Sequence, residues 1–185
     1  MVALFKKRVY DLAGCSPASV NVHLNNKKIN GIKNFSNYVN LYFQGGQQAE
    51  SKVVMHQEPR WEVGIALSDS GTFQQVSFVN SICTSRGGSH CNYLADQIVK
   101  KCSEIVSRKH KALNIRPAQI KNSLFLFVNC LVENPAFDSQ TKETLTTPKD
   151  RFGSKCELSE AFLKKVVNCG IIQSVVALAQ AKESL

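Results

Sequence analysis

The chain has 185 residues, of which 43% are hydrophobic, and its 23 basic and 14 acidic residues give a net charge of +9. This composition excludes a disordered chain and is sufficient for one domain with a sizeable core. The excess positive charge indicates a polyanionic partner or, equally, solvated basic faces spread along the chain.

No apolar run in the sequence approaches the roughly 20 residues that cross a bilayer, so we expect no membrane span. The first residues show no signal-peptide pattern, which favours an intracellular protein. The seven cysteines contain no C-x-x-C pair and indicate reduced, mostly packing residues. No Cys or His pair has zinc-finger spacing, so no metal site is predicted.

Helical spacing of apolar residues predicts a first helix over residues 2–12, with Gly14 as its C-cap. Residues 19–24 alternate as a half-buried strand, and Asn25-Asn26 predicts a turn that closes a hairpin. A short amphipathic helix is predicted over residues 35–42.

The second quarter of the chain has loop composition at residues 45–48, where we expect a mobile surface loop. Strands are then predicted at 51–56, 61–67 and 72–79, and together they suggest an antiparallel meander. A long helix is predicted over residues 90–109, because apolar residues repeat along one stripe.

Gly87 and Gly88 precede this long helix, where backbone N–H groups can bind an anion. The same pair also suits a tight strand-to-helix turn that needs positive φ, and this second interpretation carries more weight. A strongly apolar strand is predicted at 123–132 and a brief edge strand at 145–147.

Two closing helices are predicted over residues 158–167 and 171–181, separated by Gly170. The last helix has high helix propensity and no terminal cap, so we expect that it continues in a longer parent protein. We also expect a segment upstream of the first helix, because a fold rarely starts within a helix.

The segment from Pro135 to Glu143 contains the most informative motif of the chain. Asn134-Pro135 ends the apolar strand, and Gln140 and Lys142 then place an amide donor and an ammonium donor two residues apart. That pair suits a terminal phosphate, whose oxygens accept from both groups. An ordinary polar loop has the same composition, so the motif alone does not distinguish a phosphate-binding loop from a loop without this function.

Residues 134–143 resemble the Gln-Thr-Lys loop of the eukaryotic-type type IIA DNA topoisomerases. Further segments resemble the same family in the same order: Arg8–Gly14, Arg60–Val63, Phe73–Ile82, Gly87–His90 with Tyr93 and Asp96–Ile98, and Phe152–Ser159. The resemblance therefore covers nearly the whole chain. Cys83 and Cys91 depart from the pattern, because less reactive residues are expected at these positions, and they would be oxidation-sensitive if exposed.

The resemblance implies the transducer domain of such an enzyme, with a ribosomal protein S5 domain 2-like α/β fold. That fold is an α+β sandwich: a mixed sheet with helices on one face and a left-handed β-α-β crossover, against the usual handedness. The implied organisation places the last helix of an upstream GHKL ATPase domain at residues 1–14. The transducer domain then covers residues 15–156, and helices at 157–185 lead toward the DNA cleavage core.

The resemblance also implies roles for particular residues. Lys142 would reach the γ-phosphate of ATP in the neighbouring ATPase domain, with Gln140 as its companion donor, and would stabilise charge during hydrolysis. Lys164, Lys165 and Lys182 are candidate contacts to DNA phosphates in the cavity of a homodimer. ATP and Mg²⁺ would be held mainly by the missing ATPase domain, and the parent enzyme would be nuclear.

The chain lacks the nucleotide-binding motifs, the acidic metal-binding triad and the tyrosine context of the parent enzyme, so alone it is expected to neither hydrolyse ATP nor cut DNA. Its four tyrosines are interpreted as packing residues. Other interpretations stay open: a stand-alone basic nucleic-acid-binding module of S5-like fold, the equivalent domain of another GHKL ATPase such as a mismatch-repair or chaperone protein, or a dimerisation scaffold that does not respond to nucleotide.

Overall fold

The computed structural model describes residues 1–44 and 52–183, and the loop predicted at 45–48 lies outside this range. The helices are α1 (Val2–Cys15), α2 (Phe35–Asn40), α3 (Ser89–Lys109), α4 (Pro117–Asn122), α5 (Glu160–Val166) and α6 (Ile172–Glu183). The strands are β1 (His23–Leu24), β2 (Lys27–Lys28), β3 (Val54–Glu58), β4 (Trp61–Leu67), β5 (Gln74–Val79), β6 (Ile82–Cys83) and β7 (Leu124–Cys130). Short 3-10 turns lie at Leu41–Phe43 and Lys149–Arg151, and a π-helical turn at Val167–Ile171 joins α5 to α6.

Five of these strands form one mixed sheet with the order β3-β4-β7-β5-β6. β4 is antiparallel to both β3 and β7, whereas β5 runs parallel to β7. β5 and β7 are joined by a crossover that contains β6, α3 and α4, and this is the β-α-β unit to which the resemblance assigns a left hand. β1 and β2 form a separate hairpin.

The predicted meander is correct for β3 and β4 but wrong for β5, because β7 lies between β4 and β5. β7 is buried along nearly its whole length, since both of its faces are covered. A strand that is apolar on both faces takes the centre of a sheet, and this determines the strand order.

The two faces of the sheet carry different layers. On one face, Val63 and Leu126 belong to a core shared with α3, α5 and α6. On the opposite face, Phe78, Phe125 and Phe127 pack with residues of α1 and α2. The main helical layer therefore lies on one side, as the resemblance implies, and a smaller second layer covers the other.

Gly14 does not cap α1 as predicted, because the helix continues to Cys15 and Gly14 is buried within it. A Cβ on Gly14 would lie only 2.5 Å from Cγ of Tyr38 in α2. The glycine is therefore explained by the close approach of two helices, which a single sequence does not reveal.

Other differences are local. The predicted hairpin has shorter strands than residues 19–24 indicated, and α4 and β6 were not predicted. Residues 145–147 do not form the predicted strand; instead Leu145 makes single bridges to Gly88 and to Phe137.

One segment, Glu160–Ala181, is long and apolar enough by composition to cross a membrane, with a mean hydropathy of 1.5 over its most apolar window. The prediction that no run reaches this length was therefore wrong. Val166, Ile171 and Val175 of this segment are buried in the core against the sheet. Gly170 also bends the segment at a positive φ of 105°. Packing within the domain therefore accounts for part of its apolar residues, whereas Leu178 is exposed.

Candidate functional site

Gln140 and Lys142 lie at the tip of a small hairpin, residues 136–146, which we call the tip hairpin. Phe137 and Leu145 pair across it, and the Thr146 N–H donates to the Ala136 carbonyl at 2.9 Å. At the end of the hairpin, the Lys142 N–H donates to the Ser139 carbonyl at 3.0 Å and closes a turn. The polar loop predicted from the sequence is thus an ordered, hydrogen-bonded turn.

Asp138 stabilises this turn from within. Its Oδ1 accepts from the Thr144 N–H and from the Ser139 hydroxyl, each at 3.3 Å. The Ser139 and Thr141 hydroxyls are 2.8 Å apart and extend the same network. The Thr144 hydrogen bond, followed by the Ser139 one, lowers the pKa of Asp138, so the carboxylate stays ionised and keeps accepting.

Lys142 has a φ of 57°, in the left-handed region that non-glycine residues seldom adopt. Its ammonium lies 5.8 Å from the ring centroid of Phe137, within range of a cation–π contact. Across residues 1–44 and 52–183, no ion pair involves Lys142 and no side-chain hydrogen bond involves Gln140. The tip hairpin therefore presents two unpaired donors, one charged and one neutral.

The tip hairpin is joined to the start of α3 by backbone hydrogen bonds. The Leu145 N–H donates to Gly87, the Ser89 N–H donates to Leu145, and the Arg86 N–H donates to Glu143, each at 3.0 Å. The tip hairpin and the first turn of α3 are therefore held together by main-chain hydrogen bonds.

These contacts also distinguish the two interpretations of Gly87-Gly88. Their φ values are 74° and 135°, and a Cβ on Gly88 would lie 2.3 Å from the Leu145 carbonyl oxygen. The glycines thus serve a tight turn and a close backbone approach. The Ser89 N–H already donates to the Leu145 carbonyl, so this N–H is not available to an external anion.

The middle of α3 is joined to the segment that enters α5. The Gln97 amide donates to the Cys156 carbonyl at 3.0 Å and accepts from the Leu158 N–H at 2.9 Å. One turn further on, the Lys101 ammonium lies 2.6 Å from a carboxylate oxygen of Glu160. α3 therefore contacts the tip hairpin at one end and the closing helices along its length.

The predicted DNA contacts lie away from the tip hairpin in the chain. Lys164 and Lys165 are exposed in the last turn of α5, and Lys182 lies near the end of α6. The structure thus places Lys164 and Lys165 side by side, on different elements from Lys142.

The His90–Cys91 pair at the start of α3 is not a nucleophilic site. His90 Nε2 lies 3.4 Å from Cys91 Sγ, but both residues are buried. Burial lowers the pKa of His90 to about 4 and raises the pKa of Cys91 to about 12, so the imidazole is neutral and the thiol stays protonated. Cys83 is half-buried, and burial raises the pKa of its thiol as well.

All seven cysteines are free thiols, as the sequence indicated. Within the described ranges, no cluster of three or more His, Cys, Asp or Glu side chains is placed to hold a metal ion.

Sequence reasoning singled out Gln140 and Lys142 as candidates but missed the residues that position them. Asp138 could have been found, because an Asp before Ser in a turn commonly accepts from nearby backbone N–H groups. The contacts of Phe137 and Gln97 depend on tertiary packing and leave no local signal.

Comparison with known proteins identifies relatives of the whole chain. The family model described as DNA gyrase B matches residues 27–184. The chain is 48% identical to a probable DNA topoisomerase 2 of Dictyostelium discoideum over 99% of its length and 47% identical to DNA topoisomerase 2 of Arabidopsis thaliana over all of it. It spans only 12% and 13% of these two proteins.

Solved structures agree. The ATPase and transducer domains of DNA topoisomerase II from Balamuthia mandrillaris superpose on this chain with a TM-score of 0.90 and 41% identity, covering 100% of this chain and 45% of that one. The chain therefore belongs to the DNA gyrase B family, and it is similar to the ATPase and transducer region of the eukaryotic type II DNA topoisomerases.

Proposed function

We propose that this chain is the transducer segment of an ATP-dependent type II DNA topoisomerase. In this role the tip hairpin contacts the γ-phosphate of ATP held by an upstream ATPase domain. The chain passes this contact to the closing helices, which couple nucleotide binding and hydrolysis to DNA strand passage.

The observation that supports this most directly is the free, strained donor at the tip. Lys142 is held at a positive φ by a hydrogen-bonded turn, and its ammonium lies over the Phe137 ring. Strained backbone in an exposed turn is concentrated at functional sites. The planar amide of Gln140 beside it supplies a second donor for the same phosphate.

The contacts of α3 explain how a phosphate contact at Lys142 changes the domain. A γ-phosphate that binds Lys142 in only one domain orientation shifts the population toward that orientation. The backbone bonds from Leu145 to Gly87 and Ser89 then carry the displacement into α3. Gln97 and Lys101 carry it onward to the segment that enters α5.

Through Lys142, the chain also takes part in catalysis by stabilising charge on the reacting phosphate. Phosphoryl transfer depends mainly on positioning and on electrostatic stabilisation, and ATP supplies the reacting phosphate. A preorganised donor at the developing charge contributes about 2.7 to 4 kcal/mol in comparable sites. The donors of the tip hairpin fit a phosphate, whereas no cluster of three or more His, Cys, Asp or Glu side chains in the described part of the chain is placed to hold Mg²⁺. We therefore assign adenine and Mg²⁺ binding to the upstream domain.

The remaining roles follow the same proposal. Lys164, Lys165 and Lys182 contact phosphates of the transported DNA without reading its sequence, because lysine ammonium groups act as point charges. The parent enzyme acts as a homodimer, with residues 1–14 ending its ATPase domain and residues 157–185 leading to its cleavage core. The two relatives at 47–48% identity are eukaryotic proteins, and we place the parent enzyme in the nucleus, where its DNA substrate lies.

The named relatives favour this function over the alternatives. They are DNA topoisomerases, not mismatch-repair or chaperone proteins, and the match covers nearly all of this chain. A stand-alone nucleic-acid-binding module would use exposed aromatics for stacking. Here Phe78, Phe125 and Phe127 are buried and Phe73 is half-buried beneath the Lys121 ammonium.

The test joins this chain to its upstream ATPase domain and compares ATP turnover of the wild type with Lys142→Ala. We expect turnover to fall by roughly a hundredfold or more, because a transition-state donor is removed, while nucleotide still binds. Lys149→Ala is the matched control, because Lys149 is an exposed lysine outside the tip hairpin. Equal turnover in all three proteins would mean that the module is a scaffold without a phosphate-sensing role.

A further inference from the structure

A basic groove lies between α1 and the β1–β2 hairpin, away from the tip hairpin and from α5. The groove has a volume of about 420 Å³. Its lining residues are Lys6, Tyr10, Leu24, Asn25, Lys27, Lys28, Ile29 and Asn30.

The lining contains three lysines and no acidic residue. No ion pair found in the described ranges involves Lys6, Lys27 or Lys28. The nearby carboxylate of Asp11 is buried and is already paired with Lys7 at 2.9 Å, so it does not neutralise the groove. Three lysines without an ion pair thus line one groove, and their positive charge attracts an anion.

The hairpin that carries two of these lysines is a defined element. Asn25 and Asn26 have φ values of 49° and 62°, which two-residue hairpin turns require. His23 pairs with Lys28, and the Ile29 N–H donates to the Val22 carbonyl at 2.9 Å. The backbone therefore fixes where the stems of Lys27 and Lys28 leave the hairpin.

We propose that this groove binds the sugar–phosphate backbone of duplex DNA. The ammonium groups and the amides of Asn25 and Asn30 are phosphate partners, and none of these lining residues forms the bidentate arginine fork that reads guanine. A nucleic-acid backbone carries several phosphates in a row, so it can contact several separated lysines at once, whereas a single phosphate cannot. Membership of a DNA topoisomerase family makes duplex DNA the relevant polyanion.

This surface is distinct from the contacts proposed for Lys164 and Lys165. α1 belongs to the layer on one face of the sheet, and α5 packs on the opposite face. The chain therefore offers basic surfaces on two sides and can contact DNA from outside the cavity as well as within it. The groove does not depend on the role proposed for Lys142.

The test measures binding of a fluorescently labelled duplex to this chain by anisotropy over a range of salt concentrations. Each phosphate contact contributes about 0.9 to the slope of log K against log salt. The double variant Lys27→Ala/Lys28→Ala is expected to reduce that slope by roughly 1.8 and to weaken binding equally for two unrelated duplex sequences.

The matched control is Lys149→Ala/Lys155→Ala, which removes the same charge at two exposed lysines elsewhere. An equal loss of slope in both double variants would show a net-charge effect and overturn the proposal. Lys27→Arg/Lys28→Arg keeps the charge and should bind like the wild type. Thermal unfolding of each variant checks that the fold is intact.

Two further arms separate duplex DNA from other anions and from the longer protein. Inorganic phosphate is added as a competitor at constant ionic strength. If it displaces the duplex from the wild type, and displaces it less from the Lys27→Ala/Lys28→Ala variant, the groove is a small-anion site and the proposal is overturned. The same double variant is then measured with the ATPase domain attached, and a wild-type slope there would show that the groove is covered in the longer protein and would overturn the proposal. The duplex measurement contains no nucleotide, so failure of the phosphate-sensing role proposed for Lys142 is seen separately in the ATP-turnover assay.

Discussion

Lys142 combines three properties that are uncommon in one surface lysine: a positive φ, a hydrogen-bonded turn beneath it and no anionic partner in the described structure. The Phe137 ring holds its ammonium by a cation–π contact, which is weaker than a pairing with phosphate in a desolvated site. The lysine is thus kept near one position while it remains able to exchange partners.

The sequence predicted the two donors and their spacing but not their geometry. Gln140 and Lys142 were found from their order after an apolar strand and Asn134-Pro135. The positive φ of Lys142 was not predictable, because a turn that forces a lysine there depends on the network around Asp138.

The buried imidazole of His90, at the start of α3 beside the tip hairpin, makes a prediction about the pH dependence of stability. In the unfolded chain its imidazole gains a proton near pH 6.5, but burial holds the pKa in the fold at about 4. Between these values the unfolded state binds more protons, so the free energy of unfolding falls as the pH falls, by up to about 1.4 kcal/mol per pH unit.

We therefore expect His90→Gln to flatten the pH dependence of urea unfolding between pH 6.5 and 4. NMR titration of the His90 ring should show its midpoint near pH 4 in the wild type. An unchanged slope in the variant would contradict the assigned buried, neutral state.

α3 is the central connecting element. Its first turn is bonded to the tip hairpin through Leu145, and its middle is bonded through Gln97 to the segment that enters α5. A continuous 21-residue helix, in which every turn is internally hydrogen-bonded, joins these two contact points.

Elements with a strong local pattern were predicted well. β4 has the predicted bounds, and α3 begins one residue earlier than predicted and ends where predicted. α4 was missed because its six residues are too short to show a helical period. The position of β7 between β4 and β5 was missed because strand order depends on long-range pairing, which local periodicity does not contain.

Gly170 separates α5 from α6 and has a φ of 105°. A Cβ there would meet only Leu67 Cδ2 at 3.9 Å, so only the backbone conformation opposes a side chain. We expect Gly170→Ala to lower the free energy of unfolding by about 1 to 2 kcal/mol, and Gly170→Asn to cost less, because Asn tolerates positive φ.

Urea denaturation of the two Gly170 variants measures this difference. A stabilising effect of alanine would mean that α5 and α6 gain by joining into one straight helix, and that the bend is not an intrinsic feature of the fold.

The whole molecule is a mixed sheet between two unequal helical layers, and its proposed functions lie at separate places on it. In the proposed account, the tip hairpin contacts the nucleotide, the closing helices contact the transported DNA, and the basic groove beside α1 is a further DNA surface. Composition and charge indicated a single module with a polyanionic partner, and the ordered motifs indicated the family. The distribution of basic surfaces over two faces required the tertiary structure.

The most direct test of γ-phosphate sensing compares two nucleotides in the protein that includes the upstream ATPase domain. Calorimetry measures the affinity for a non-hydrolysable ATP analogue and for ADP, with Lys142 intact and in Lys142→Ala. A charge-assisted hydrogen bond is worth about 1.5 to 3 kcal/mol, so the variant should bind the triphosphate roughly 10- to 140-fold more weakly while its ADP affinity is unchanged. Equal loss for both nucleotides, or no loss for either, would contradict the account.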